Sequence, residues 1–179
     1  MSGHNKWSKI KHKKAATDAV KSKVFSKHSG LIAMESKKAG GDVSSPGLAA
    51  AIERAKKDSM PKNNIEKAVA KGCGEGGATI EEVLYEAYGP GGVAMIITAV
   101  TDNTNRTSPE IKHILTKADL QLGAPGSSMW AFTKVESNYI PNSPTDLSDG
   151  DGEKLAALVE AFEEHEDVQD VFTTADTPD

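Results

Sequence analysis

The chain has 179 residues, with 21 Lys and Arg against 26 Asp and Glu, a net charge of −5, and a single cysteine. That length can bury one ordinary core or two small ones without help from metals or crosslinks. The lone Cys73 excludes an internal disulfide framework and a multi-cysteine zinc site, and no apolar run reaches membrane-spanning length; with no presequence-like leader after Met1, a cytoplasmic setting is expected.

In chain order, the first feature is the run GHNKWSKIKHKK at 3–14. Lys6, Lys9, Lys11, Lys13 and Lys14 can neutralise backbone phosphates and release counterions, and His12 adds a further donor. Trp7 could stack on an unpaired base, although core packing is the better reading for that residue alone. Residues 18–38 then space Val20, Val24, Phe25, Leu31, Ile32 and Met34 as one side of a long amphipathic helix, ended by Gly40-Gly41. Its Lys21, Lys23 and Lys27 extend the positive field. Ser45-Pro46 reads as a helix start, and a second helix runs through Leu48, Ile52 and Ala55. Met60-Pro61-Lys62-Asn63-Asn64 is a tight connection in which Met60 and Lys62 either form a contact loop or, for Met60, pack inward. A third helix carries Ile65, Ala68 and Val69 and stops at Gly72.

Charge divides at that point. Residues 1–71 hold 16 basic side chains against 6 acidic, a net of +10, and the remainder holds 5 against 20, a net of −15. The basic part suits a polyanion; the acidic part is repelled from the same partner and orients the molecule. The expected organisation is a basic helical nucleic-acid-binding domain at 1–71, a glycine-rich linker at 72–78 and an acidic domain at 79–179.

In the acidic part the periodicity changes to strands at 83–88 and 93–100 around a Gly-Pro-Gly-Gly turn. Thr107-Ser108-Pro109-Glu110 reads as a capping box opening a helix with Ile111, Ile114 and Leu115 inward. A strand at 129–135, a short one near 139–140, a loop at 141–152, a helix at 153–164 and a strand at 168–173 follow. This order predicts an α+β fold, an antiparallel sheet covered on one face in the manner of a ferredoxin-like sandwich.

Several motifs carry no chemistry. The Gly72-x-Gly74-x-x-Gly77 pattern follows a helix instead of a strand, so it is no dinucleotide fingerprint. Asp149-x-Asp151-x-Glu153 lacks the glycine of a calcium loop. The histidines form no ligand pair, Cys73 has no nearby base, and no catalytic constellation assembles; the reading is no enzyme, no cofactor and no metal. The polar cluster 101–107 bonds to itself, or its Arg106 reaches a phosphate or a neighbouring domain.

The segments GHNKWSKIKHKKA, MPKNNIEKAVAKG, YEAYGPGGVAMII and TDNTNRT, in this order, resemble the YebC/PmpR family. The resemblance implies a helical N-terminal domain followed by two small α/β domains, of which the inserted third is missing here after about residue 135. It also implies a regulator of gene expression, described in that family either as a DNA-binding transcriptional regulator or as a ribosome-associated translational activator. Basic residues on an arm and a long helix, without the Asn, Gln and Arg clustering that reads base edges, favour ribosomal RNA over duplex DNA as the partner.

Overall fold

The structure is a computed structural model in which residues 18–77 and 79–176 are described. Three helices come first: α1 (Asp18–Ala39), α2 (Pro46–Lys57) and α3 (Lys62–Gly72). Their apolar stripes meet in a core of Ile32, Leu48, Ala51, Ala55, Met60, Ile65 and Ala68. Pro46 occupies the first turn of α2, as the sequence leads one to expect.

Two of the helix ends use the same device. After α1, Gly40 takes a left-handed conformation (φ 59°) and the Gly41 amide bonds back to the Ser36 carbonyl. After α2, Ser59 takes that conformation (φ 64°), and the Met60 amide donates to the Ala55 carbonyl at 2.9 Å. This double-bonded terminus satisfies the last carbonyls and turns the following side chain back onto the helix. α3 ends at Gly72, as expected, but that glycine is not among the left-handed ones, and its service is to the packing. A β-carbon there would overlap the Ala33 carbonyl and crowd Ser36, so the missing side chain lets α3 cross close over α1.

The second unit contains β1 (Glu81–Tyr88), β2 (Ala94–Thr101), α4 (Thr104–Lys117), β3 (Phe132–Val135), β4 (Asn138–Pro141), α5 (Asp149–Glu163) and β5 (Val168–Thr173). It is an α+β fold, with β1, β2 and β5 forming an antiparallel sheet in that order. The two short strands that a ferredoxin-like sandwich would draw into the sheet pair only with each other. Their inward residues Phe132 and Tyr139 instead lie over Ala94 and Ile96, so the hairpin covers part of a face. Tyr139 meets Phe172 of β5 edge-on, with ring centroids 5.3 Å apart.

Strand β2 alternates, and each set of side chains has its own cover. Met95, Ile97 and Ala99 pack beneath α4 and α5 with Ile111, Leu115, Leu155, Leu158 and Phe162. Ala94 and Ile96 face the β3–β4 hairpin, while Val100, further along the same side, packs with Ala33 and Met34 of α1. The helical unit and the hairpin therefore sit over opposite ends of one face of the sheet.

Two helix starts differ from the sequence reading. α4 begins three residues earlier than the capping box, because the Asn103 side chain accepts from the Arg106 amide; Pro109 is carried inside the helix. α5 begins at Asp149, where Ser148 accepts from the Asp151 amide, so part of the expected loop is helical. In place of a strand start at 129, residues Met129–Ala131 form a single 3-10 turn.

Candidate nucleic-acid interface

Lys6, Trp7, Lys9, Lys11, His12, Lys13 and Lys14 lie outside the described residues. On α1, Lys21 is exposed, Lys27 is half-buried, and Lys23 reaches across to Glu164 of the second unit at 2.9 Å. Lys62 is exposed at the start of α3, 3.5 Å from Glu66. Among the described residues, Lys21, Lys27, Arg54, Lys57 and Lys67 of the helical unit have neither an ion pair nor a side-chain hydrogen bond, while Lys37 donates to the Ile80 carbonyl.

Of the two readings of Met60, the structure has the inward one: it is 4 % exposed and packs in the helical core, carried inward by the left-handed turn at Ser59. Apolar contact between the residue after such a turn and the last helical turn is the usual companion of this terminus, and Met60 and Ala55 share that core.

Arg106 is engaged inside the protein. Its guanidinium lies 2.9 Å from Asp167 and 3.3 Å from Asp102, and Asp102 in turn lies 2.7 Å from Lys71 at the end of α3. The polar cluster 101–107 is thus a joint between the units. The Lys71 ammonium holds the Asp102 carboxyl below its usual range. Burial works against the Asp167 charge, but the Thr107 hydroxyl and the Arg106 guanidinium outweigh it, and its pKa is also lowered. The Arg106 pKa is raised, chiefly by Asp167. The joint lines an open groove of about 750 Å³ that also takes in His113 and His165. Donor atoms of Glu110, His165 and Asp167 lie within 4.8 Å of one another there, near enough to share a metal ion. In the structure they are satisfied internally, His165 by Glu110 at 2.9 Å and Asp167 by Arg106 and Thr107.

Sequence reasoning missed one constellation altogether. Glu86, in the middle of β1, is 5 % exposed. Its carboxylate accepts from the backbone amides of Gly126, Ser128 and Met129 at 2.6, 2.8 and 2.7 Å. Burial raises its pKa, and these bonds overcome that and leave it lowered. The loop so fixed presents Trp130, which is 70 % exposed. Its indole N–H lies 2.9 Å from the Ser127 carbonyl and 3.0 Å from the Tyr88 hydroxyl. An acidic residue between apolar neighbours in a strand was the available signal, since the alternation of β1 places Leu84, Glu86 and Tyr88 on one side.

Comparison with known proteins adds the lineage. A model described as the TACO1/YebC protein N-terminal domain matches residues 5–75, and one described as the TACO1/YebC second and third domain matches 80–137. A protein of Dictyoglomus turgidum named "probable transcriptional regulatory protein" is 36% identical over 242 aligned positions, covering 100% of this chain and 97% of its own length. With 179 residues here, at least 63 of those positions have no counterpart. A Kosmotoga olearia protein of the same name is 44% identical over 181 positions, covering 100% of this chain and 71% of its own. The crystal structure of a conserved hypothetical protein from Aquifex aeolicus superposes with a TM-score of 0.85 at 31% identity, over 95% of this chain and 96% of that one. Two family models in chain order, and relatives 36% and 44% identical that are covered over 97% and 71% of their own length, make this chain a member of the TACO1/YebC family.

Proposed function

We propose that this protein regulates gene expression by docking its basic helical unit on folded RNA, ribosomal RNA in the first place, as a factor acting in translation. One observation carries the reading: the positive charge of residues 18–72 lies outside the buried core, and five of its basic side chains have neither an ion pair nor a side-chain hydrogen bond among the described residues. Charge that stabilises nothing internally is available to phosphates. In this reading Lys6, Lys9, Lys11, Lys13, Lys14 and His12 add donors and positive charge to those of Lys21, Lys27 and Lys62, and Trp7 belongs to the same sequence run. Met60 and Arg106 act behind it, the one as core and the other as part of the joint. The acidic unit would set orientation, and the positions missing relative to the Dictyoglomus protein correspond in this reading to an absent third domain.

The relatives' names favour a second reading, a regulator of transcription that binds duplex DNA. Binding of the purified protein to ribosomal RNA fragments and to promoter-length duplex DNA, across a salt titration, separates the two. Changing both Lys11 and Lys13 to Glu is expected to weaken RNA binding at least tenfold and to reduce the salt slope by about 1.5. A discrete DNA site bound orders of magnitude above background, with no preference for RNA, overturns the translational reading.

A further inference from the structure

An exposed tryptophan is ordinarily mobile and amphipathic, with a donor to offer. Trp130 is neither. Its indole N–H is taken up by the Ser127 carbonyl and the Tyr88 hydroxyl, and Tyr88 itself donates to Ser127 at 2.6 Å. The loop beneath is anchored by the buried Glu86 carboxylate through three backbone amides. The Asn142 amide donates to the Trp130 carbonyl and so fixes the backbone from the other side. What remains on offer is a flat π face, held rigidly, with its polar edge already satisfied.

Its surroundings are nearly free of charge. Residues 120–131 contain no charged side chain, and the β3–β4 hairpin adds only Lys134 and Glu136. The outward side of that hairpin carries Val135 and Ile140, 46 % and 51 % exposed. Location gives the second argument. Tyr88 pairs with Ala94, and Leu84 with Thr98, so the aromatic site stands at one end of the sheet face whose other end lies beneath α1 at Val100. From Ala94 to Val100 is about 20 Å at the rise of an extended strand. A single strand of nucleic acid running from the helical unit across this face would present a base to Trp130; of the α1 lysines next to Ala33 and Met34, Lys37 donates to the Ile80 carbonyl and Lys38 pairs with Glu35.

We infer that Trp130, with Tyr88 beside it, is a stacking platform for an unpaired base of the RNA that the helical unit holds, and the inference rests on that RNA-binding reading. Stacking needs a π face and no donor, so the site takes any base, and it contributes affinity without sequence preference. Two exposed acids of the same face, Glu82 opposite Val100 and Asp170 opposite Thr98, are what a passing phosphate must avoid.

The chain has two tryptophans, so a Trp7→Phe background leaves Trp130 as the sole indole. In that full-length background, titration with a ten-nucleotide oligouridylate should quench the indole emission at saturation. Trp130→Ala should weaken binding about tenfold while leaving the salt slope unchanged, since stacking releases no counterions. Trp130→Phe should retain most of the affinity. Thermal melts of both variants show whether the fold survives; should Trp130→Ala unfold, the quench and the Phe variant decide. Absence of quenching on a bound oligonucleotide overturns the platform, as does unchanged affinity of Trp130→Ala while Lys11→Glu/Lys13→Glu still weakens binding. That last pattern leaves the docking reading standing. Failure of the wild type to bind RNA removes both. Self-association that Trp130→Ala abolishes, with RNA affinity unaltered, overturns the platform in favour of a protein contact.

Discussion

The two units use charge in opposite ways. In the helical unit the core cluster is apolar, Ala51, Ala55 and Ala68 interleaved with Ile32, Leu48, Met60 and Ile65, and the basic side chains stay outside. In the α+β unit the informative charges are structural: Glu86 is enclosed by backbone amides, and Asp102, Arg106 and Asp167 make up the joint. A charged group that has already paid its desolvation and found partners holds the fold; one left in water is free to meet a ligand. The overall count of acids and bases therefore says less about function than where each sign is spent.

The sharpest way to break this contrast is to remove the internal acid. Glu86→Ala leaves three amide donors facing a buried gap, and a loss of about 4 kcal/mol of stability is expected by urea unfolding, together with a red-shifted, mobile Trp130 emission. In the helical unit the counterpart is steric. Gly72→Ala should destabilise by about 2 kcal/mol in thermal melts because α3 must move off α1, even though helix propensity alone favours Ala by about 1 kcal/mol. The sign of that one measurement separates a packing glycine from a helix stop.

Acid should act mainly on the second unit and the joint, since the lowered carboxyls of the helical unit, Asp42 and Glu53, are exposed. The pKa values of Glu86, Asp102 and Asp167 are lowered in the folded protein, so their contribution is complete above the ordinary carboxylate range near about 4 and is lost as pH falls through the depressed folded values. The urea midpoint should hold steady down to that range and then drop. Arg106→Ala should flatten the drop at a cost of only about 1 kcal/mol at neutral pH, since the pairs are part-exposed. The smallest effect is a gain. Ser59→Gly relieves the left-handed turn after α2 and should raise stability by about 0.5 kcal/mol, visible as a rise of about 1–2 °C in Tm.

Much of this architecture was legible in the residues. The apolar spacing of 18–38 gives α1, and the runs at 83–88 and 93–100 give β1 and β2 almost to the residue. What stayed hidden depends on contacts between distant segments. Asn103 outcompetes Thr107 as the cap because Thr107 is turned inward, its hydroxyl bonded to Asp167 sixty residues away. Met60 looks like a loop residue until the left-handed Ser59 is known, and Gly72 ends its helix where the sequence puts the stop, while its close fit against α1 stays hidden until the two helices are laid together. Trp130 was read as the beginning of a strand, because the loop that displays it is built by Glu86, an acid that local patterning assigns to solvent.

The central place of β2 has a consequence for biosynthesis. The helical unit draws its core only from residues that leave the ribosome early, so it can close while the rest is still being made. β2 receives one neighbour at once from the β1 hairpin, but its other edge stays open until Val168–Thr173 has been translated. During that interval a nascent chain exposes an unpaired row of amides flanked by Ile96 and Ile97, the kind of edge that recruits other strands. Nascent-chain aggregation should therefore be governed by the late arrival of β5, and truncation just before it is more hazardous than truncation after α3.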